Sequence, residues 1–258
     1  MFIFHGEIID YDFFKANNSN NCILFLHGWG GNKNSFALTI NLLKTKYNCL
    51  SITLPTIEPT NLVWDMPLYV DCVLSLIETL NIKNITIVCH SFGFRVATLL
   101  KYKIKINKMV VTGGAGAKKL NFFKKIDKIN NICLLKAYKN KILFKNFTSN
   151  ACNKQNEKKQ KAYNELYDNL SSADYKALSK TNKKTFKNVV NFNTLNLLKF
   201  NFPLLLFWGK FDTETPVWIA KYLKKLNPNA ELILTPEDHF AYIKENMYFN
   251  NLVVKFLK

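Results

Sequence analysis

Arginine is almost missing from this chain. Arg95 is alone beside 35 lysines in 258 residues, although the formal net charge is +18. The planar guanidinium fork is the preferred reader of phosphates and base edges, so its scarcity argues against nucleic acid as a partner. Drift in composition accounts for the lysines, since Asn, Ile and Phe are abundant as well. Long apolar stretches are also lacking: none reaches the roughly 18 residues that a membrane-spanning helix requires. The first residues carry no basic stretch and include Glu7, unlike a secretory leader. No C-x-x-C pair occurs among the six cysteines, and four of them fall in apolar or amphipathic runs. Buried free thiols in a reducing, cytoplasmic setting are therefore expected. Neither G-x-x-x-x-G-K-[ST] nor G-x-G-x-x-G follows a strand, and Cys–His metal spacing is absent.

What is present is a large, patterned core. Hydrophobic residues make up 48% of the chain and aromatics 14%, which excludes global disorder. Short apolar runs over 22–26, 49–54, 85–89, 109–112, 203–208 and 231–234 predict strands. Helix-period segments over 35–46, 67–80, 92–103 and 216–226 separate them, and 240–257 closes the chain. Continuous apolar strands alternating with single helices predict a mostly parallel, doubly wound α/β sheet covered on both faces. Residues 2–9 form a further edge-strand candidate. The alternation breaks between Gly116 and Phe202, a gap too long for one crossover. We expect a core of residues 1–116 and 203–258 and a helical lid insertion over 117–202. Open α/β sheets bind ligands at the strand ends that such a lid would cover. The window 117–161 holds 13 lysines against Asp127 and Glu157, and so carries +11 of the net charge.

One stretch carries chemistry. Ile85-Thr86-Ile87-Val88-Cys89-His90 ends at Ser91, and an amphipathic segment starts at Phe92. A strand turning sharply into a helix with serine at the apex lifts the hydroxyl from the sheet. It also aims the free N–H groups of the helix at the same spot. The usual form is G-x-S-x-G, and here Cys89 takes the first glycine position. A serine nucleophile needs a base, an orienting acid and donors for an oxyanion. His90 adjoins Ser91 and should project away from its hydroxyl, His27 directly follows a strand, and His5 is near the start. His239, in a loop after a late strand, is the candidate base. Asp212 ends the preceding strand and is the candidate acid, with a plain helix N-cap as its other reading. Gly28, Gly30 and Gly31 allow a tight turn that would leave the Trp29 N–H pointing inward, opposite the Phe92 N–H.

With these residues in view, the chain resembles the α/β-hydrolase superfamily. The carriers are His27-Gly28-Trp29-Gly30-Gly31, Cys89-His90-Ser91-Phe92-Gly93, Trp208-Gly209-Lys210-Phe211-Asp212 and Asp238-His239-Phe240. The likeness is to small lidded bacterial esterase-like members, including pimeloyl-acyl-carrier-protein methyl esterases and carbon–carbon bond hydrolases. The return from the lid, 171–175 through 185–190, is also similar. The resemblance implies acyl transfer: His239 deprotonates Ser91, Asp212 holds the imidazole, and water resolves the acyl-enzyme. It implies no metal or organic cofactor. Departures are Cys89, Phe94 in place of another common glycine, and Leu54-Pro55-Thr56-Ile57-Glu58-Pro59, which lacks the D-x-P-G-x-G-x-S pattern. The expected substrate is a small carboxylic ester held near Gly28, Trp29 and Phe92. The alternatives are a carbon–carbon hydrolase or lyase on the same residues, and a non-catalytic binding module. The lysine-rich lid is either a solvated face or a docking surface for an acidic carrier protein or anionic lipid. A monomer or a homodimer fits equally.

Overall fold

The computed structural model describes residues 2–17, 19–118 and 173–258. The chain divides into two compact units, Met1–Ala117 with Ser179–Lys258, and Lys118–Leu178. The expected lid helices before residue 173, its lysine-rich window, and Cys133 and Cys152 lie outside the described residues. The short helix Ala173–Ala177 belongs to the second unit.

The first unit begins with a hairpin, not an edge strand. Strands β1 (Phe2–Phe4) and β2 (Glu7–Ile9) pair antiparallel around His5 and Gly6, at φ of +48° and +82°. Positive φ at both turn residues gives the twist that a two-residue hairpin needs. The edge of the main sheet is instead β3 (Tyr11–Phe14), antiparallel to β5 (Asn48–Ile52). The remaining strands are parallel: β4 (Cys22–Leu26), β6 (Ile85–His90), β7 (Ile106–Thr112), β8 (Leu204–Gly209) and β9 (Glu231–Thr235). Their order across the sheet is β3-β5-β4-β6-β7-β8-β9.

Every residue of β4, β6 and β8 is buried, which is why these strands read as unbroken apolar runs. Side chains alternate between two cores. Leu24, Leu26, Ile87 and Cys89 join one, with α2 (Met66–Thr79), α3 (Phe92–Leu100) and, later in the chain, Trp218–Leu226. Ile23, Phe25 and Val88 join the other, with α1 (Ala37–Leu43) and the C-terminal Asn246–Leu257. Both faces are thus covered by helices, giving the doubly wound α/β architecture. Cys22, Cys49, Cys72 and Cys89 are buried free thiols.

Helix α4 (Lys180–Asn191), placed by sequence within the lid, groups with the core unit. Its cap is Ser179, whose Oγ accepts the Asn182 N–H at 3.0 Å. The chain is tied off nearby, where the Thr194 N–H donates to the Gly116 carbonyl at 2.8 Å. Helices α5 (Trp218–Leu226), α6 (Ala241–Lys244) and α7 (Asn246–Leu257) complete the unit. Among the described residues, no helix is long and apolar enough to cross a membrane.

Candidate active site

Strand β6 delivers Ser91 to the carboxyl edge of the sheet in a conformation that serine rarely adopts. Its φ is +47° and ψ −110°, a strain of about 1–3 kcal/mol that the surroundings must hold. They do so through the backbone. The Ser91 N–H donates to the Thr112 carbonyl at 3.1 Å, and its carbonyl accepts from Phe94 and Ala115 at 3.1 and 3.0 Å. With its backbone fixed, Ser91 is half-buried just past the strand end. The tight contact of helix with strand runs through Gly93, not position 89. A Cβ on Gly93 would sit 2.3 Å from the Leu26 carbonyl oxygen. Cys89 instead fills the core, its Sγ 3.5 Å from the Val110 carbonyl and its thiol pushed well up by burial.

The candidate acid and base come from loops that only a glycine lets meet. A Cβ on Gly209 would lie 2.2 Å from the carbonyl oxygens of both Glu237 and Asp238. Lys210 and Phe211 donate their N–H groups to the Thr235 and Glu237 carbonyls at 2.8 and 2.9 Å, sealing the junction. Asp212 is buried there. Its Oδ1 accepts the Thr215 N–H at 2.7 Å, and Oδ2 accepts the Thr215 hydroxyl at 2.8 Å. The same Oδ2 accepts His239 Nδ1–H at 2.9 Å. Burial alone would raise the carboxyl pKa, but the bonds from His239 and Thr215 outweigh it and hold Asp212 below the usual carboxylate range. Trp208 Nε1–H fixes Thr215 in turn, donating to its carbonyl at 2.7 Å. Donation from Nδ1 leaves His239 Nε2 as the basic nitrogen.

His239 is brought to the elbow by Gly113, the residue after Thr112. A Cβ on Gly113 would lie 2.9 Å from His239 Nδ1 and 3.2 Å from His90 Cε1. Ser91, Asp212 and His239 therefore converge at one end of the sheet. No hydrogen bond joins Ser91 Oγ to His239, and among the described residues Ser91 Oγ has no partner. Catalytic hydrogen bonds commonly tighten only once substrate is bound.

His90 departs from expectation. Its ring packs against His239, with centroids 4.6 Å apart. Burial, and next the neighbouring His239, push His90 down to about 3, while Nδ1–H donates to the Thr112 carbonyl at 3.0 Å. A neutral His90 ring thus lies against the candidate base. The spacing Asp212-x-x-Thr215 and the His90-Ser91 adjacency were the only sequence signals for these supporting residues.

The glycine loop after β4 faces the elbow. A Cβ on Gly28 would be 2.7 Å from His90 Cδ2 and 3.4 Å from Ser91 Cβ. His27 locks the loop from below: Nδ1–H donates to the Gly28 carbonyl at 2.6 Å, and Nε2 accepts the Leu54 N–H at 2.8 Å. Burial pushes its pKa to about 4, so the ring is neutral. Among the described residues, neither the Trp29 nor the Phe92 backbone N–H has an acceptor. The indole of Trp29 meets Phe92 edge-on at 5.8 Å and Phe186 of α4 at 5.0 Å. Gly28, Trp29 and Phe92 are thus brought together, and Phe186 is a wall residue the sequence did not single out. A surface depression of about 380 Å³, lined by Asp65, Pro67, Lys187 and Asn191 among others, includes none of these residues. Among the described residues, no group of three or more His, Cys, Asp or Glu side chains could hold a metal ion.

No protein-family model matches this sequence, and no curated protein matches it by sequence. Solved structures are similar. An α/β hydrolase enzyme, MGS-M2, from a Medee basin deep-sea metagenome library shares 21% identity at a TM-score of 0.68, over 99% of this chain and 96% of that one. MenH from S. aureus shares 21% at 0.65, over 96% and 97%. The esterase EaEST from Exiguobacterium antarcticum shares 16% at 0.66, over 96% and 94%. The chain has the α/β-hydrolase fold.

Proposed function

We propose that this chain, built on the α/β-hydrolase fold, is a serine hydrolase that cleaves carboxylic esters. Ser91 Oγ attacks the ester carbonyl while His239 Nε2 takes its proton. Asp212 holds the ring and stabilises the imidazolium that forms. The free N–H groups of Trp29 and Phe92 receive the developing oxyanion, each such donor typically being worth about 3 kcal/mol of transition-state stabilisation. Proton return from His239 expels the alcohol, and water then releases the acid from the acyl-enzyme by the same steps.

The observation that carries this reading is the 2.9 Å bond from His239 to buried Asp212, set against the strained Ser91 elbow. Structures similar in fold include proteins named as esterases and hydrolases, which supports the same chemistry. Trp29, Phe92 and Phe186 offer an apolar wall beside the donors, suited to an apolar acyl group.

A series of p-nitrophenyl esters of increasing acyl length tests the proposal. Wild type should hydrolyse the shorter members, and Ser91→Ala should lose at least about 10³-fold in kcat. Folded wild type without activity on any chain length, or an equally active Ser91→Ala, contradicts it.

A further inference from the structure

The loop Leu54-Pro55-Thr56-Ile57-Glu58-Pro59 lacks the glycine-rich pattern of the family it resembles, and the structure shows what occupies its place. Thr56 is buried and its Oγ1 accepts the Gly30 N–H at 3.3 Å. Gly30, at φ +77°, directly follows Trp29, whose N–H is a candidate oxyanion donor. Thr56 is itself gripped from α4. Asn182, only 1% exposed, donates Nδ2–H to the Thr56 carbonyl at 2.9 Å and to the Glu58 carbonyl at 2.6 Å. Two carbonyls on one side of the amide fix its orientation, and the Ser179 hydroxyl donates to Oδ1 at 3.1 Å. One helical turn further on, Phe186 touches the Trp29 ring. Helix α4 thus meets the glycine loop at two points, through the Asn182–Thr56–Gly30 chain and through Phe186.

We propose that Thr56, held by Asn182, is a positioning residue that sets the Trp29 N–H for the oxyanion. The proposal rests on the serine-hydrolase reading. The Trp29 N–H lies in the Gly28–Trp29 peptide, whose carbonyl accepts His27 Nδ1–H at 2.6 Å and the Gly31 N–H at 3.0 Å. Thr56 fixes the following Trp29–Gly30 peptide. With both flanking peptides held, the Trp29 dihedrals are held as well. Gly30 at its positive φ occupies the third position of the turn closed from the Gly31 N–H to the Gly28 carbonyl, and the Thr56 hydroxyl anchors the central peptide of that turn from outside it. Oxyanion stabilisation depends on donors aimed before the reaction begins, so a loosened loop weakens the transition state more than substrate binding.

The test removes the acceptor and then restores it. Thr56→Val and Thr56→Ala both delete the hydroxyl, and whichever folds carries the measurement, while Thr56→Ser retains it. On a p-nitrophenyl ester, kcat should fall about tenfold or more with KM changed less than about twofold. The rate of Ser91 modification by a fluorophosphonate should fall in parallel, because that reaction uses the same oxyanion site. Thr56→Ser should restore both. A folded Thr56→Val or Thr56→Ala variant with wild-type kcat, or with a changed melting temperature alone, overturns the proposal. So does failure of Thr56→Ser to recover the rate. If wild type neither turns over an ester nor reacts at Ser91, the hydrolase reading falls and this inference falls with it. Normal wild-type turnover with an unaffected Thr56→Val removes this inference alone.

Discussion

His27, His90 and His239 stand at or just beyond the carboxyl ends of β4, β6 and β9, yet their partners give them different chemistry. His27 has a partner on each nitrogen, and His90 donates Nδ1–H to a main-chain carbonyl. Only His239 places its Nδ1–H on a carboxylate. Replacing Asp212 by Asn keeps the shape but reverses the preferred tautomer. We expect Asp212→Asn to lower kcat by roughly 10³–10⁴-fold with little change in melting temperature, as measured by ester turnover and thermal denaturation. The buried histidines also predict an acid limit. An unfolded chain takes up a proton on histidine near pH 6.5, whereas folded His27 does so only at about 4 and His90 at about 3. Protons therefore favour the unfolded state. The stability is fully present above about pH 6.5 and is lost as pH falls toward 4, by about 3 kcal/mol for His27 alone. Asp212, with its lowered pKa, acts in the same direction below the ordinary carboxylate range. Urea melts at pH 7.5, 6 and 4.5 should show this decline, and His27→Gln should flatten it. An equal slope in His27→Gln would contradict the assignment.

At the level of elements, two close approaches hold the site together, and both depend on a missing Cβ. Gly93 lets α3 lie on the end of β4, and Gly209 lets the loop after β8 touch the loop after β9. Gly209→Ala would force a Cβ against two backbone carbonyls, which have no flexible end to move aside. We expect it to destabilise the fold by about 1–3 kcal/mol and to depress ester turnover beyond what the melting temperature explains. Unchanged turnover and melting would show that the two loops adapt freely. The strands beneath were legible because they are buried on both faces, so apolar runs marked them to within a few residues. The expected helix over 240–257 is really two, α6 and α7, broken at Glu245 with φ −99° and ψ +38°. Its apolar spacing continues across the break through Tyr242, Phe249 and Val253, which all enter one core, so periodicity alone could not reveal it. The hairpin at the start was missed for a different reason. His5-Gly6 is a two-residue turn signal, but the flanking strands are only three residues each.

Across the whole molecule, the legible part of the candidate site is the part written locally. Ser91, Asp212 and His239 each sit in a short motif at a strand end, and their order along the chain fits a doubly wound sheet. Thr56, Asn182 and Phe186 were not legible as site residues because their roles arise from contacts across the fold. Asn182 and Thr56 are 126 positions apart, and nothing near either one names the other. The central claim is that Ser91 is an activated nucleophile, and active-site labelling tests it most directly. A fluorophosphonate probe followed by peptide mass analysis should give one adduct on Ser91, absent from Ser91→Ala and strongly slowed in Asp212→Asn. A folded wild-type chain that takes no label, or a label that persists in Ser91→Ala, would contradict the account.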